Sequence, residues 1–216
     1  MNLLDIIKKF NSINNTIYII DFDHTITTFD SNTSIGVYSL YLGQKYKKKK
    51  DKIDSLSSRF NGKTITKLFW ILKIKLLNRY YNSNLKKMIA RNFKIRKDFK
   101  WLIKYFNINN IDYIICSSGH RDLIDYILKD NGISNYKLLA NEINTRFYKI
   151  ITPYNKYKFI KKHIKGRKTV IIGDHIGDSY MVKDCYVSIG IANASNKSQL
   201  EKYFDYVIIG DDCCEK

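Results

Sequence analysis

The 216 residues carry 38 Lys+Arg against 20 Asp+Glu, a formal net charge of +18, with 44% hydrophobic and 14% aromatic residues. That length suits one domain, or one domain with a sizeable insertion, and the apolar content suffices for a buried core, which excludes a disordered chain. No run of 18 uncharged apolar residues occurs, so no transmembrane helix and no membrane partner are expected.

The chain opens on Met1–Asn11, where Asp5 precedes Lys8 and Lys9. A secretory leader has its charges in the opposite order, so a mature cytoplasmic start is expected. Residues 17–22, IYIIDF, form a β-branched run ending at acids, the pattern of a buried parallel strand. From 31 to 95 the pattern changes. KLFWILKIKLLNRYY and LKKMIARNF repeat apolar residues at i, i+3 and i+4 with lysines between, which predicts a helical insertion. Lys47–Lys50 reads as a solvated helix end. A core helix follows at Asp98–Phe106, then a strand at 111–116 (IDYIIC) and a helix at Asp122–Lys129. Residues 137–151 read as a β-hairpin or strand pair. Beyond them come a helix at Lys156–Ile164, a strand at 169–173, a helix at Asn196–Phe204 and a strand at 206–209. Strands alternating with helices predict an α/β, Rossmann-like, mainly parallel sheet flanked by helices. The core would comprise 1–30 and 96–216, with 31–95 inserted after the first strand. Trp70, Trp101 and the many tyrosines at helical spacing read as core. The four cysteines, at 116, 185, 213 and 214, show neither zinc spacing nor a disulfide framework, which fits a reducing compartment.

The positive charge is unevenly placed. Residues 45–104 hold 20 Lys/Arg and 3 acids, an excess of 17, while the remainder is close to neutral. Thirty-one of the 38 cations are Lys in a chain rich in Ile, Asn and Tyr, so compositional bias supplies part of the excess.

Four features fall at or after predicted strand ends, where open α/β sheets place their sites. Asp21 and Asp23 stand two apart in DFDHT, so that one carboxylate can attack while the other handles a proton. Cys116-Ser117-Ser118-Gly119 offers a hydroxyl and a glycine turn to an anion. Lys156 or Lys158 opens a helix. Asp174 and Asp178, in GDHIGD, flank a glycine-rich turn and suit a hard cation. His24, His120 and His175 lie among these motifs and read as bystanders or pocket walls, since a hard cation prefers oxygen.

This ordered set resembles the haloacid dehalogenase superfamily, whose DxDx(T/V) signature, later Ser/Thr, Lys and GDxxxD elements match DFDHT, Ser117, Lys156 and GDHIGD. The resemblance spans the chain and implies a helical cap at 31–95 and, because Asp23 is an acid, a phosphatase rather than a dehalogenase. It implies Asp21 as nucleophile forming an aspartyl phosphate, Asp23 as general acid–base, and Ser117 and Lys156 (or Lys158) on the phosphoryl group. It implies Mg²⁺ held by Asp21, the Asp23 carbonyl and Asp174, with Asp178 as a further or outer ligand. Ser118, Gly119 and His120 would line the substrate site, and Thr25 would tie the loop. LLANEIN and Asp30, where an acid contacts a substrate amine, resemble phosphoserine phosphatase relatives. CSSGHRDLIDYIL, GDHIGDSYM and IGIANASNKSQLEKYFDYVII resemble cytosolic pyrimidine 5′-nucleotidases. The expected partner is a small phosphorylated metabolite. The alternative function is nucleic-acid or anionic-surface binding through 45–104. No RNP, KH or zinc signature accompanies that segment, so nucleic acid is not the expected partner.

Overall fold

A computed structural model describes residues 3–11, 15–59, 63–142, 149–179, 181 and 185–210. Six strands form one sheet: β1 (Thr16–Ile20), β2 (Tyr113–His120), β3 (Lys137–Asn141), β4 (Lys168–Gly173), β5 (Val187–Ala192) and β6 (Tyr206–Ile209). Every pairing is parallel, in the order β3-β2-β1-β4-β5-β6. Ile20 lies between Ile115 on one side and Ile172 on the other. The strand order reverses direction between β1 and β4, and such a switch point opens a crevice at the carboxyl ends of the strands.

Alternation along β1 shows why these residues make a central strand. Tyr18 and Ile20 enter the larger core, with α1 (Leu3–Asn11), α5 (Lys97–Ile108) and α6 (Arg121–Asp130). Ile17 and Ile19 face the other way, onto Ile160 and Ile164 of α7 (Lys156–Ile164) and Met181. A strand buried on both faces needs the β-branched run that the sequence supplies.

Between β1 and α5 lie a 3-10 turn (Gly36–Leu40), α2 (Gly43–Ser58), α3 (Lys63–Tyr80), a second 3-10 turn (Ser83–Leu85) and α4 (Lys86–Ala90). The chain leaves and re-enters the core side by side. Thr27 bridges Ile95 antiparallel, Thr28 N–H donates to the Lys94 carbonyl at 2.9 Å, and Arg96 N–H to that of Ile26 at 3.0 Å. Lys47, Lys48 and Lys49 are exposed on α2 while Tyr46 is buried. The remaining helices are α8 (Ile176–Ser179) and α9 (Lys197–Leu200). Among the described residues no helix is long and apolar enough to cross a membrane.

The structure corrects several expectations. Ser117-Ser118-Gly119 lies inside β2, not in a turn beyond it: a bulge between Cys116 and His120 lets the strand continue through polar residues to pair His120 with Asn141. The 137–151 segment contributes β3, a parallel edge strand. Residues 143–148, where a hairpin would turn, lie outside the described residues, and no antiparallel partner of β3 occurs among those described. Trp101 is 65% exposed, because the buried face of α5 is taken by Phe99, Leu102, Ile103 and Phe106. Strand β5 was not anticipated, since Ser188 and Gly190 break its apolar run. An added Cβ at Gly190 would press against the Phe204 ring at 3.2 Å.

Candidate active site

Four charged side chains meet at the switch point. Asp21 follows β1, and its N–H donates to the Ile172 carbonyl of β4 at 2.9 Å. Asp174 follows β4, Asp178 sits in α8, and Lys156 is the first residue of α7. Carboxylate oxygens of Asp21, Asp174 and Asp178 all lie within 4.8 Å of one another. The Lys156 ammonium donates to Asp21 Oδ1 and, at 2.6 Å, to Asp178 Oδ1. Lys156, Asp178 and Asp21 are 3%, 2% and 6% exposed, so water screens little of this. Lys158 is exposed. Two residues along a helix turn a side chain by about 200°, so only one of the pair can face the cluster. Gly173 is dictated by the same packing, since an added Cβ would come within 2.6 Å of Asp178.

Three carboxylates around one ammonium leave buried negative charge in excess. Burial pushes Asp21 up to about 7 against the opposing pull of Lys156, with Asp178 and Asp23 adding to the rise. Burial, with Asp21 and Asp178 close by, raises Asp174 well above the usual carboxylate range. Burial opposes the charge on Lys156, but Asp178 and Asp21 outweigh it and raise its pKa. An all-oxygen donor set short of positive charge fits a hard divalent cation. A carboxylate whose pKa is raised on folding binds more protons folded than unfolded, so stability falls as pH climbs from the unfolded value of about 4 through about 7. A cation that replaces those protons must therefore stabilise more at high pH. Thermal melts are expected to show a larger Mg²⁺-induced rise in Tm at pH 8 than at pH 5.5, and an equal rise at both would count against the cluster as the cation's site.

Asp23 is held differently. Its Oδ1 accepts from Ser34 N–H and its Oδ2 from Ser34 Oγ, both at 2.7 Å. Burial raises its pKa, while those two bonds lower it. Ser34 is fully buried against Gly119, where an added Cβ would lie 1.8 Å from its Oγ. The loop between the two acids turns at His24, with φ 59°, and His24 N–H donates to Thr27 Oγ1 at 2.8 Å. Thr25 Oγ1 donates to Asp174 Oδ1 at 3.0 Å, tying the β1 loop to the β4 loop. Ser34→Ala removes one donor from Asp23. Its pKa should rise further, which a carboxyl-resolved NMR titration of Asp23 would show as a midpoint moved to higher pH.

On β2, Ser117 Oγ accepts from Gly119 N–H at 2.9 Å. The Ser118 carbonyl accepts from Asn141 Nδ2 at 2.7 Å and from Trp70 Nε1 at 3.2 Å, linking the strand to β3 and to α3. Ser118 Oγ is buried with no hydrogen-bond partner among the described residues. His120 Nδ1 meets the Tyr38 hydroxyl at 2.5 Å, and burial drives its pKa down to about 4, so the ring is neutral at pH 7. Tyr81, packed edge-on against His120, donates to Asp122, which also accepts from Lys86 at 3.0 Å. His175 N–H donates to Asp178 Oδ2 at 3.2 Å. The structure thus brings together Asp21, Lys156, Asp174 and Asp178, with Thr25 attached through Asp174, and joins Asp23 to the β2 edge through Ser34. Asp30 stands apart. It is exposed, paired with Lys94 Nζ at 2.8 Å and with Thr28 Oγ1, and these contacts hold its carboxyl below the usual range.

Three structuring residues escaped the sequence reading. Ser34 carries no signal in a chain full of loop serines. Tyr38 is one of 17 tyrosines. Asn141 lies inside LLANEIN, and the signal was its polarity at the end of an apolar run: it is buried, binding the Ser118 carbonyl and both the N–H (2.7 Å) and carbonyl (2.8 Å) of Ile151.

No protein-family model and no curated protein matches the chain. Solved structures do. Cytosolic 5′-nucleotidase IIIB bound to cytidine matches with a TM-score of 0.71 at 16% identity, over 93% of this chain and 83% of that one. A haloacid dehalogenase family hydrolase from Salmonella enterica serovar Typhi matches with a TM-score of 0.69 at 12% identity, over 90% and 67%. Phosphoserine phosphatase in its apo form matches with a TM-score of 0.62 at 17% identity, over 89% and 92%. At these identities the likeness is one of fold, and the fold is that of the haloacid dehalogenase hydrolases.

Proposed function

We propose that this chain, with its haloacid dehalogenase fold, is a Mg²⁺-dependent phosphomonoester hydrolase of a small phosphorylated metabolite. The observation that carries the reading is the buried Asp21–Lys156–Asp178–Asp174 cluster at the switch point of the sheet. A carboxylate nucleophile and its phosphate target repel each other, and a divalent cation held by this cluster would relieve that repulsion. Mg²⁺ would be held by Asp21, the Asp23 carbonyl and Asp174, with Asp178 beside them, and supplies charge neutralisation between nucleophile and phosphoryl group.

The chain's own residues do the rest. An Asp21 carboxylate oxygen forms a bond to phosphorus as the ester P–O bond breaks, giving an aspartyl phosphate. Asp23, whose raised pKa favours the protonated form, delivers its proton to the leaving oxygen. It then takes a proton from the water that attacks the aspartyl phosphate, releasing inorganic phosphate and restoring both acids. Lys156 favours the ionised form of Asp21 and offsets charge developing on the phosphoryl oxygens, toward which the Ser117 and Ser118 hydroxyls would donate from β2, with Gly119 beside them. The helical segment 31–95 is the cap, contacting the end of β2 through Tyr38, Trp70 and Tyr81 and α6 through the Tyr81–Asp122 bond. Its positive charge would steer anionic substrates.

Two substrate classes fit, phosphoserine-like and nucleoside monophosphate, and His120, neutral between two tyrosines, would form a wall of the pocket for either. They divide at Asp30. A phosphoamino acid needs Asp30 to exchange Lys94 for the substrate ammonium, whereas a nucleotide leaves that exposed ion pair alone. Asp30→Asn is expected to raise KM about tenfold for a phosphoamino acid, the scale of a charged hydrogen bond, and to leave nucleotide hydrolysis unchanged. The deciding experiment is a phosphate-release panel of sugar phosphates, nucleotides, phosphoamino acids and pyridoxal phosphate. Release with Mg²⁺ and its loss with chelator are expected. Release that survives the chelator would remove the metal from the proposal.

A further inference from the structure

The end of the sheet opposite the acid cluster, at the start of β4, carries a second concentration of positive charge. Between Glu142 and Asp174 the sequence holds nine Lys/Arg and no acid. One of these, Lys156, belongs to the cluster. Lys161, Lys162, Lys165, Arg167 and Lys168, from the far end of α7 and the turn into β4, line an open groove of about 710 Å³. The length of β4 alone, at 3.3 Å per residue, separates this rim from Gly173 by about 16 Å.

Lysines at a helix C-terminus complement its dipole, and that explains Lys161 and Lys162. The dipole does not explain the cations beyond the helix. Gly166, at φ 73°, turns the chain out of α7, and Arg167 and Lys168 continue the rim past it. Lys161, Lys162 and Lys165 are exposed and form no ion pair among the described residues. The acid that meets this rim is Asp112, 2.8 Å from Arg167, whose guanidinium is also held by the Thr16 carbonyl at 3.0 Å. Aromatic surface borders the cations: Tyr157 lines the groove, and Tyr186 is 48% exposed with Lys168 Nζ 5.1 Å from its ring centroid.

A groove lined by three unpaired lysines, with Arg167 and Lys168 continuing the rim and aromatic rings beside it, fits a linear polyanion with stacking bases. A membrane surface would call for a flat or convex face with apolar anchors, and a single small phosphate needs fewer charges. We propose that this groove binds single-stranded nucleic acid, on a face separate from the acid cluster. The proposal rests on charge and shape and stands apart from the hydrolytic reading.

Fluorescence anisotropy of a short labelled oligoribonucleotide tests it. Four or five neutralised phosphates predict a log–log salt slope of about −3, or roughly a 60-fold loss of affinity between 50 and 200 mM salt. Combining Lys161→Gln, Lys162→Gln and Lys165→Gln should weaken binding at least tenfold while phosphate release stays as in the unsubstituted chain and the thermal melt stays cooperative, its midpoint slightly lowered by the lost helix-dipole contacts. Combining Lys47→Glu, Lys48→Glu and Lys49→Glu on α2 should leave binding within about twofold. Three results would overturn the proposal: no binding at 50 mM salt, wild-type binding by the groove variant, or binding lost only in the α2 variant. Association with phosphatidylserine vesicles but not with the oligonucleotide would overturn it in favour of a membrane.

Discussion

Lys156→Met is expected to abolish phosphate release and to destabilise the chain by about 3–5 kcal/mol at pH 7, the scale for breaking a buried ion pair from one side. The side chain fills similar volume, so packing is nearly conserved and the cost is electrostatic. Asp21 and Asp178 each lose the ammonium that contacts them, and three carboxylates within 4.8 Å of one another lose their only cation among the described residues. Protonation relieves the repulsion, so the deficit in urea unfolding should shrink as pH falls. Mg²⁺ should recover part of it at neutral pH by mass action. Lys158→Met, two residues on and exposed, should change stability by no more than about 0.5 kcal/mol and leave activity intact. Equal effects from the two lysines would break the assignment of Lys156.

Asp21→Asn separates chemistry from folding. The amide is isosteric but cannot attack phosphorus, and loss of a covalent nucleophile costs on the order of 10⁴-fold or more in kcat. Stability should move the other way. Burial holds the Asp21 pKa near 7, which means that its charge is a burden on the folded state at neutral pH. The neutral amide removes that burden and leaves Lys156 paired with Asp178, so Tm without metal should be unchanged or higher. A variant that is inactive because it is unfolded would contradict this, as would one that keeps wild-type turnover.

The central strands β1 and β4 were legible because a strand buried on both faces must be a near-continuous apolar run, as in IYII and TVII; β6 was legible from YVII although it is a half-buried edge strand. Helix α7 was legible to the residue from its spacing. What the sequence concealed has identifiable causes. Strand β5 admits Ser188 and Gly190 because Asp205 hydrogen-bonds the Ser188 hydroxyl, at 2.7 Å, and Phe204 fills the space above Gly190. The Ser117–Gly119 stretch is chemically turn-like; it stays in β2 because β3 pairs on either side of the bulge and Asn141 and Trp70 hold the Ser118 carbonyl. At the site, the acids declared themselves by their spacing, but the choice between Lys156 and Lys158 needed the helix phase relative to the sheet. Ser34 needed the whole fold, since 11 residues separate it from the Asp23 carboxylate that it grips. The second basic rim was hidden by arithmetic: acids elsewhere in the core balance it in the sum, although none falls between Glu142 and Asp174.

The most direct measurement is the mass of the chain after rapid acid quench of a reaction with p-nitrophenyl phosphate and Mg²⁺. One added phosphoryl group on the peptide bearing Asp21, absent with chelator and in Asp21→Asn, is the predicted result. Turnover with no phosphoryl group on Asp21, or a phosphoryl group at another residue, would contradict a nucleophilic role for this carboxylate.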